Sequence, residues 1–187
     1  MSLVRIPPRQ DLWNEYYRWR VFEVARDLGI DAAPDPDQAF LERMQSKGWD
    51  LNCFQEFSAF EWFFLLDGAF AAGVQIRNIR RKEKIAEITY GTRKEFRGKR
   101  VVQNAVANVV DDIFSRGLLH KVVAYVRDDN EPSSRVLERL GFHLDGVLRK
   151  DFLLGNRYVD MKAYSILSSE SRNWFQLLWQ TNEIVRP

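Results

Sequence analysis

A short basic turn between a strand-like and a helix-like segment constrains the fold of this chain most. Residues 85–92 read IAEITYGT, a run rich in β-branched residues. After the turn, apolar residues recur with helical spacing from Val102 to Ile113. This order brings the free backbone N–H groups of a helix start to one point, where the helix dipole favours an anion. The pattern predicts a phosphate site at the turn Arg97, Gly98, Lys99 and Arg100.

The remaining pattern alternates helices and strands along the chain. Strands are predicted at residues 4–6, 61–66, 69–77, 85–92 and 121–126, and a hairpin at 142–154 and 158–167. Helices are predicted at residues 11–28, 34–47, 101–117 and 133–140, with a last one in the tail. The aromatic residues of 49–60 are assigned to the core rather than to a substrate pocket. We therefore expect an α+β fold with a mixed, mostly antiparallel central sheet flanked by helices.

Composition favours an ordinary globular enzyme or binding domain. The 187 residues carry a net charge of +2, which does not by itself indicate a nucleic-acid partner. There is no apolar run long enough to span a bilayer and no secretory leader, so we expect a cytoplasmic protein without a membrane role. One cysteine and two separated histidines predict neither an internal disulfide nor a metal site.

Basic residues crowd two connections between predicted elements. The first group is interpreted as a solvated hairpin tip, and it comprises Arg77, Arg80, Arg81, Lys82 and Lys84. The second group surrounds the predicted phosphate turn, and it comprises Arg93, Lys94, Arg97, Lys99 and Arg100.

A second motif lies downstream, at residues 130–142, which read NEPSSRVLERLGF. Together with the basic turn it resembles the GNAT superfamily of acyl-CoA-dependent N-acyltransferases, over about residues 60–167. The likeness is closest to the branch that includes the ribosomal-protein N-terminal acetyltransferases. Arg97 fills the first position of the superfamily's turn signature, whereas Arg100 and Val102 stand where the signature has small residues, glycine and then glycine or alanine.

The resemblance implies an acyl-CoA co-substrate, acetyl-CoA or another, whose pantetheine arm enters between the strands 85–92 and 121–126. These two strands should therefore be neighbours that splay apart. Implied binding positions are Tyr90, Arg97, Gly98, Lys99, Arg100, Val101, Val102 and Asn130. Two alternatives remain for the Arg100 side chain. It points outward and pairs with a phosphate, or it fills the space where backbone N–H groups would hold the phosphates, in which case the protein uses a different acyl donor or has lost acetyl-CoA.

The resemblance also implies catalytic roles. Ser133 corresponds to a hydroxyl that protonates the departing thiolate, and Glu87 to a glutamate that serves as general base. The structural alternatives are a turn residue for Asn130, a first-turn helix hydroxyl for Ser133 and an ion-pair partner for Glu87.

The resulting hypothesis is an N-acyltransferase in which a primary amine attacks the thioester directly. The acceptor is a small-molecule or peptide amine. The alternatives are a carrier-protein thioester or an aminoacyl-tRNA as donor, or a GNAT-like domain that binds without catalysis. Residues 1–167 would form the acyltransferase domain. Residues 168–187 would form a helical extension that packs on the domain or on a second copy in a homodimer.

Overall fold

Seven strands form one central sheet in the computed structural model, which describes residues 2–23 and 36–170. They are β1 (Leu3–Ile6), β2 (Phe60–Leu66), β3 (Ala69–Arg80), β4 (Ile85–Thr92), β5 (Lys121–Arg127), β6 (His143–Leu154) and β7 (Arg157–Leu167). Their order across the sheet is β1-β2-β3-β4-β5-β7-β6. Every neighbouring pair is antiparallel except β4 and β5, which are parallel. The predicted mixed sheet is confirmed.

Four α-helices accompany the sheet within the described residues. They are α1 (Trp13–Tyr17), α2 (Gln38–Gln45), α3 (Val101–Ser115) and α4 (Glu131–Arg139). α1 continues as a π-helical segment, Arg18–Glu23, and the rest of the predicted first helix lies outside the described residues. The predicted tail helix also lies outside them, in residues 171–187. None of the described helices is long and apolar enough to cross a membrane.

Apolar clusters cover both faces of the sheet. The larger cluster joins α3 and α4 to the face that carries Trp62 and Phe64. Phe63 alternates with these residues and faces the other way, into a mostly aromatic cluster formed with α1 and α2. Phe54 and Phe60 belong to the larger cluster and Phe57 packs against it, so the core assignment is confirmed for these three aromatics of residues 49–60, but it is wrong for Trp49, which is exposed. Each face of the sheet is therefore covered by its own apolar cluster.

Several boundaries differ from those predicted. The helix expected over residues 34–47 is α2 (Gln38–Gln45), which begins after its N-cap Asp37, and α3 ends at Ser115 rather than near residue 117. Two further differences also have a local cause. β3 runs three residues further than expected, because a bulge between Arg77 and Arg80 carries Asn78 in a left-handed conformation (φ 50°). α4 begins two residues earlier than expected, because Asn130 caps it and Pro132 is tolerated in a first helical turn.

Candidate active site

β4 and β5 are hydrogen-bonded neighbours over a short stretch and then diverge. Their register pairs Ile85 with Lys121, Ala86 with Val122 and Glu87 with Val123, and pairing stops there. β4 nevertheless runs on to Thr92 and β5 to Arg127. The facing edges beyond Glu87 therefore leave backbone N–H and C=O groups without a strand partner, and such groups need one. The predicted splay between these two strands is confirmed.

A cavity of about 500 Å³ occupies this divergence, and we call it the gap cavity. Its wall includes residues from β4, β5, the basic turn, the start of α4 and β6. Among the predicted site residues, it brings together Tyr90, Arg97, Asn130 and Ser133. Gly98 through Val102 do not line it but follow Arg97 directly in the chain. Two motifs that are distant in sequence thus meet at the divergence of one strand pair.

A pair of hydroxyl groups lies at the wall of the gap cavity. Tyr90 Oη is 2.9 Å from Ser133 Oγ, and it also donates to the Ser133 carbonyl at 3.3 Å. Burial raises the pKa of the Tyr90 phenol above its ordinary value, although the hydrogen bond from Ser133 opposes this. The Tyr90 hydroxyl therefore stays protonated at neutral pH. Neither hydroxyl is used only to satisfy its own helix or strand.

Asn130 is the N-cap of α4. Its side-chain oxygen accepts a long hydrogen bond, 3.4 Å, from the Ser133 backbone N–H, and the backbone carbonyl of Asn130 also accepts from Ser133. These hydrogen bonds support the structural alternative for Asn130, a local backbone-stabilising role. A cap uses the amide oxygen and leaves the amide NH₂ group to donate, so capping and ligand binding are compatible for this side chain.

The basic turn presents an open helix start. Gly98 (φ 78°) and Arg100 (φ 58°) both adopt the left-handed conformation, and Arg100 is the N-cap of α3. Among residues 2–23 and 36–170 no side chain caps α3, and its first turn contains no acidic residue. Val101 is buried and Val102 half-buried, so these two residues offer mainly their backbone N–H groups to a ligand. The turn is arranged to receive an anion on backbone donors.

Arg100 departs from the family signature in side chain but not in backbone. Its conformation is one that glycine adopts without strain and other residues adopt at a cost. The side chain is exposed, and it forms no ion pair with residues 2–23 or 36–170. The backbone path of a glycine turn is thus retained, and a charged side chain is added at its rim.

A second cavity of about 730 Å³ adjoins the first, and we call it the arginine cavity. Arg77, Arg80 and Arg81 line it together with the buried Glu87. Tyr125 lies in the walls of both cavities.

Glu87 is held by two side chains of the β3 bulge. Its Oε1 accepts from Arg77 Nε at 3.0 Å and from Arg77 Nη2 at 2.5 Å, and its Oε2 accepts from Asn78 Nδ2 at 2.6 Å. A carboxylate offers about four acceptor positions, so one is left for a further donor. The ion-pair alternative for Glu87 is present, and the general-base assignment stays a prediction.

The interpretation of the first basic group as a solvated hairpin tip is incomplete for two of its members, which also make contacts within the protein. Arg77 pairs with Glu87, and Arg81 donates to the backbone carbonyls of Phe54 and Phe57. The bulge lies between Arg77 and Arg80, and the Arg77 side chain stays about half exposed (47%) while it pairs with Glu87.

Other site residues were missed from the sequence. Tyr125 could have been found, because Val122 and Ala124 mark the buried face of β5 and leave Tyr125 on the other face. Outside the two cavity walls, the role of Glu61 was also missed: it is buried and accepts hydrogen bonds from Tyr16 at 3.0 Å and Lys47 at 2.7 Å. A lone glutamate in the apolar strand FEWFFLL was the available signal. Arg20, which also lines the gap cavity, had no such signal.

Comparisons with known proteins agree with this geometry. A family model described as an acetyltransferase (GNAT) domain matches residues 3–143. The putative ribosomal N-acetyltransferase YdaF of Bacillus subtilis is 28% identical over 117 residues, 63% of this chain and 64% of the relative. The probable N-acetyltransferase YjcK of the same species is 36% identical over 92 residues, 49% of this chain and 51% of the relative. The chain thus spans between half and two thirds of the length of these relatives.

Solved structures share the fold. The microcin C7 self-immunity acetyltransferase MccE, in complex with acetyl-CoA and AMP, superimposes with a TM-score of 0.72 and 24% identity. That match covers 87% of this chain and 91% of the other. Spermidine N-acetyltransferase from Vibrio cholerae, in complex with CoA and spermine, gives a TM-score of 0.74 and 18% identity over 91% and 98% of the two chains.

Proposed function

The chain belongs to the GNAT acetyltransferase family, and from that premise we propose that it transfers an acyl group from acyl-CoA to an amine. One observation carries the proposal: the divergence of β4 and β5 brings an uncapped helix start and a pair of hydroxyl groups to the same gap. A thioester donor with a phosphate-bearing tail needs both features. The names of the relatives, which include ribosomal and spermidine N-acetyltransferases, agree with an amine acceptor.

The donor would be held at its two ends by different chemistry. Its phosphates would bind the backbone N–H groups that follow Gly98 at the start of α3, with Arg97, Lys99 and Arg100 adding charge at the rim. Its pantetheine arm carries amide groups, which match the unpartnered backbone edge of β4 beyond Glu87. The Asn130 amide would donate to the same arm.

The reaction would be a direct transfer. The acceptor nitrogen attacks the thioester carbonyl, the carbon–sulfur bond breaks, the thiolate takes up a proton and the nitrogen loses one. Ser133 would donate the proton to the thiolate, the Tyr90 hydroxyl at 2.9 Å would return one to the serine, and water would return one to Tyr90, so that the proton lost by the acceptor nitrogen balances the proton taken up by the thiolate. Because burial raises the pKa of Tyr90, its phenolate would be reprotonated at the pH where an amine is reactive.

The acceptor would enter through the arginine cavity. Glu87 lies in its wall and has one free acceptor position, which suits an ammonium group or a water that carries its proton away. Tyr125 lines both this cavity and the gap cavity, so an amine placed beside it would approach the thioester.

A titration with acetyl-CoA tests the donor. Binding by calorimetry, with affinity that falls as ionic strength rises, supports phosphate recognition at the turn. An absence of binding contradicts acetyl-CoA as donor. It leaves the readings in which a carrier-protein thioester or an aminoacyl-tRNA supplies the acyl group, or in which the domain binds a ligand without catalysis.

Variants at the start of α4 test the chemistry. Ser133→Ala is expected to lower kcat by about 10²-fold or more with little change in donor affinity, because proton donation acts in the transition state. Asn130→Ala is expected mainly to weaken donor binding. Ser115→Ala, at the far end of α3, is the matched control. If Ser133→Ala lowers thermal stability but leaves kcat intact, its role is structural.

A further inference from the structure

The charge of the arginine cavity restricts the kind of amine that can use it. Arg77, Arg80 and Arg81 line this cavity, and Glu87 is the acidic residue in its wall. We infer that the acceptor is an amine that carries an anionic group, a carboxylate or a phosphate, a short distance from its amino nitrogen. This inference rests on the proposed function and specifies its substrate class.

Only some of this positive charge is neutralised within the protein. The Arg77 guanidinium binds Glu87 through two nitrogens. Arg81 Nη2 donates to neutral backbone carbonyls, and its buried Nε has no acceptor among the described residues. Arg80 is exposed and has no ion-pair partner within residues 2–23 and 36–170. With respect to the described residues, the positive charge of Arg80 and Arg81 in this cavity is therefore uncompensated.

The sheet register sets the spacing between the two ends of such an acceptor. Arg80 is the cross-strand partner of Ile85, which lies two residues before Glu87 on β4. Two residues of strand span about 7 Å, and residues two apart share a face. An amine near Glu87 and an anion near Arg80 would thus sit several ångströms apart, as in an amino acid, an acidic peptide N-terminus or a phosphorylated amine.

The same charges disfavour acceptors with several amino groups. A polyamine would place a second ammonium group against Arg80 or Arg81, and like charges brought together at a binding site reduce affinity. The cavity volume of about 730 Å³ is within the usual range of small-ligand sites. The charge of the cavity, rather than its size, is therefore expected to discriminate between acceptor amines.

The test uses the full chain and three serine-initiated tetrapeptides that carry glutamate, glutamine or lysine at the second position. Affinities are measured by calorimetry without donor, and kcat/KM with acetyl-CoA. The glutamate peptide is expected to bind at least about fivefold more tightly than the glutamine peptide at low salt, and the lysine peptide more weakly than both. Spermidine and a phosphoserine-initiated peptide complete the series, and the latter distinguishes a phosphate from a carboxylate.

Variants assign the preference to named side chains. Arg80→Ala should reduce the preference for glutamate over glutamine to less than about twofold, and Arg80→Glu should reverse it toward lysine. Lys82→Ala, on the same hairpin but outside the cavity wall, should keep the full preference. Equal binding of the three peptides, no binding of any, or a preference unchanged by Arg80→Ala each overturns the inference. Transfer to spermidine at the highest rate overturns it while leaving the acyltransferase proposal intact.

Discussion

Arg100→Gly separates the backbone of the phosphate turn from its charge. Arg100 holds a left-handed conformation (φ 58°, ψ 14°) at the N-cap of α3, and its exposed side chain has no ion-pair partner among the described residues. Removing this side chain therefore relieves backbone strain and loses few internal contacts. We expect the variant to be more stable than the parent chain.

The size of the gain follows from two opposing terms. The left-handed conformation costs a residue with a Cβ about 1–2 kcal/mol. Glycine returns about 0.5–1 kcal/mol of this, because the unfolded chain gains freedom at a glycine. The net increase in the free energy of unfolding is about 0.5–1 kcal/mol, which corresponds to a rise in Tm of about 1–4 °C for a chain of this length.

Urea unfolding measures the change, and Lys99→Gly is the matched control. Lys99 lies in the same turn and carries the same charge, but its φ is not positive. Glycine relieves no left-handed strain there and removes the contact of Lys99 Nζ with the Phe96 ring, so Lys99→Gly should lower the free energy of unfolding by about 1–2 kcal/mol. Arg100→Ala keeps the strain and removes the charge, and should change stability by less than about 0.5 kcal/mol.

Donor affinity decides between the two outcomes for the Arg100 side chain. A phosphate contact at an exposed site contributes about 1 kcal/mol, so Arg100→Gly should raise the Kd for acetyl-CoA by about fivefold. Destabilisation equal to that of Lys99→Gly would refute the strain argument. A large gain in acetyl-CoA affinity would instead show that Arg100 fills the space where backbone N–H groups would hold the phosphates.

Two other predictions follow from buried groups. Tyr90→Phe and Ser133→Ala should each lower kcat. Because the two hydroxyls act as one pair, the double variant should lose much less than the product of the two single losses. Additive losses in a double-mutant cycle would contradict this proton transfer between Tyr90 and Ser133. Burial raises the pKa of Glu61, despite its contacts with Lys47 and Tyr16, so its contribution to stability is present at low pH and lost as pH rises through the folded-state pKa. The free energy of unfolding of the parent chain, measured in urea between about pH 4 and pH 8, should therefore fall relative to that of Glu61→Gln, and a parallel pH dependence of the two proteins would exclude this effect.

Local sequence signals predicted the frame of the site because each depends on neighbouring residues. The turn at Gly98 is set by backbone chemistry within a few positions, and so is the loop before α4, where Asn130 was expected as a turn residue and is the helix cap. The approach of Tyr90 to Ser133 depends on tertiary packing, and the family resemblance supplied the expectation that both residues border the donor.

The features that were missed depend on register between strands. The pairing of Arg77 and Asn78 with Glu87 requires a bulge, and the amino-acid sequence of β3 does not indicate where an extra residue enters the strand. The arginine cavity therefore looked like a solvated tip. The role of Glu61 was hidden for a related reason, since its partners Tyr16 and Lys47 come from separate elements.

The shared wall at Tyr125 has a consequence for the kinetics of the proposed transfer. Glu87 and Val123 line the arginine cavity from the sheet face opposite α3, because Ile88 and Val122 occupy the α3 side. Tyr125 lies on that same face and also lines the gap cavity, whose wall includes Tyr90 and Ser133. An acceptor in the arginine cavity and a donor in the gap cavity would therefore meet at this side chain with both bound at once. Initial rates measured against both concentrations should then give intersecting reciprocal plots, and parallel plots would contradict such a ternary complex.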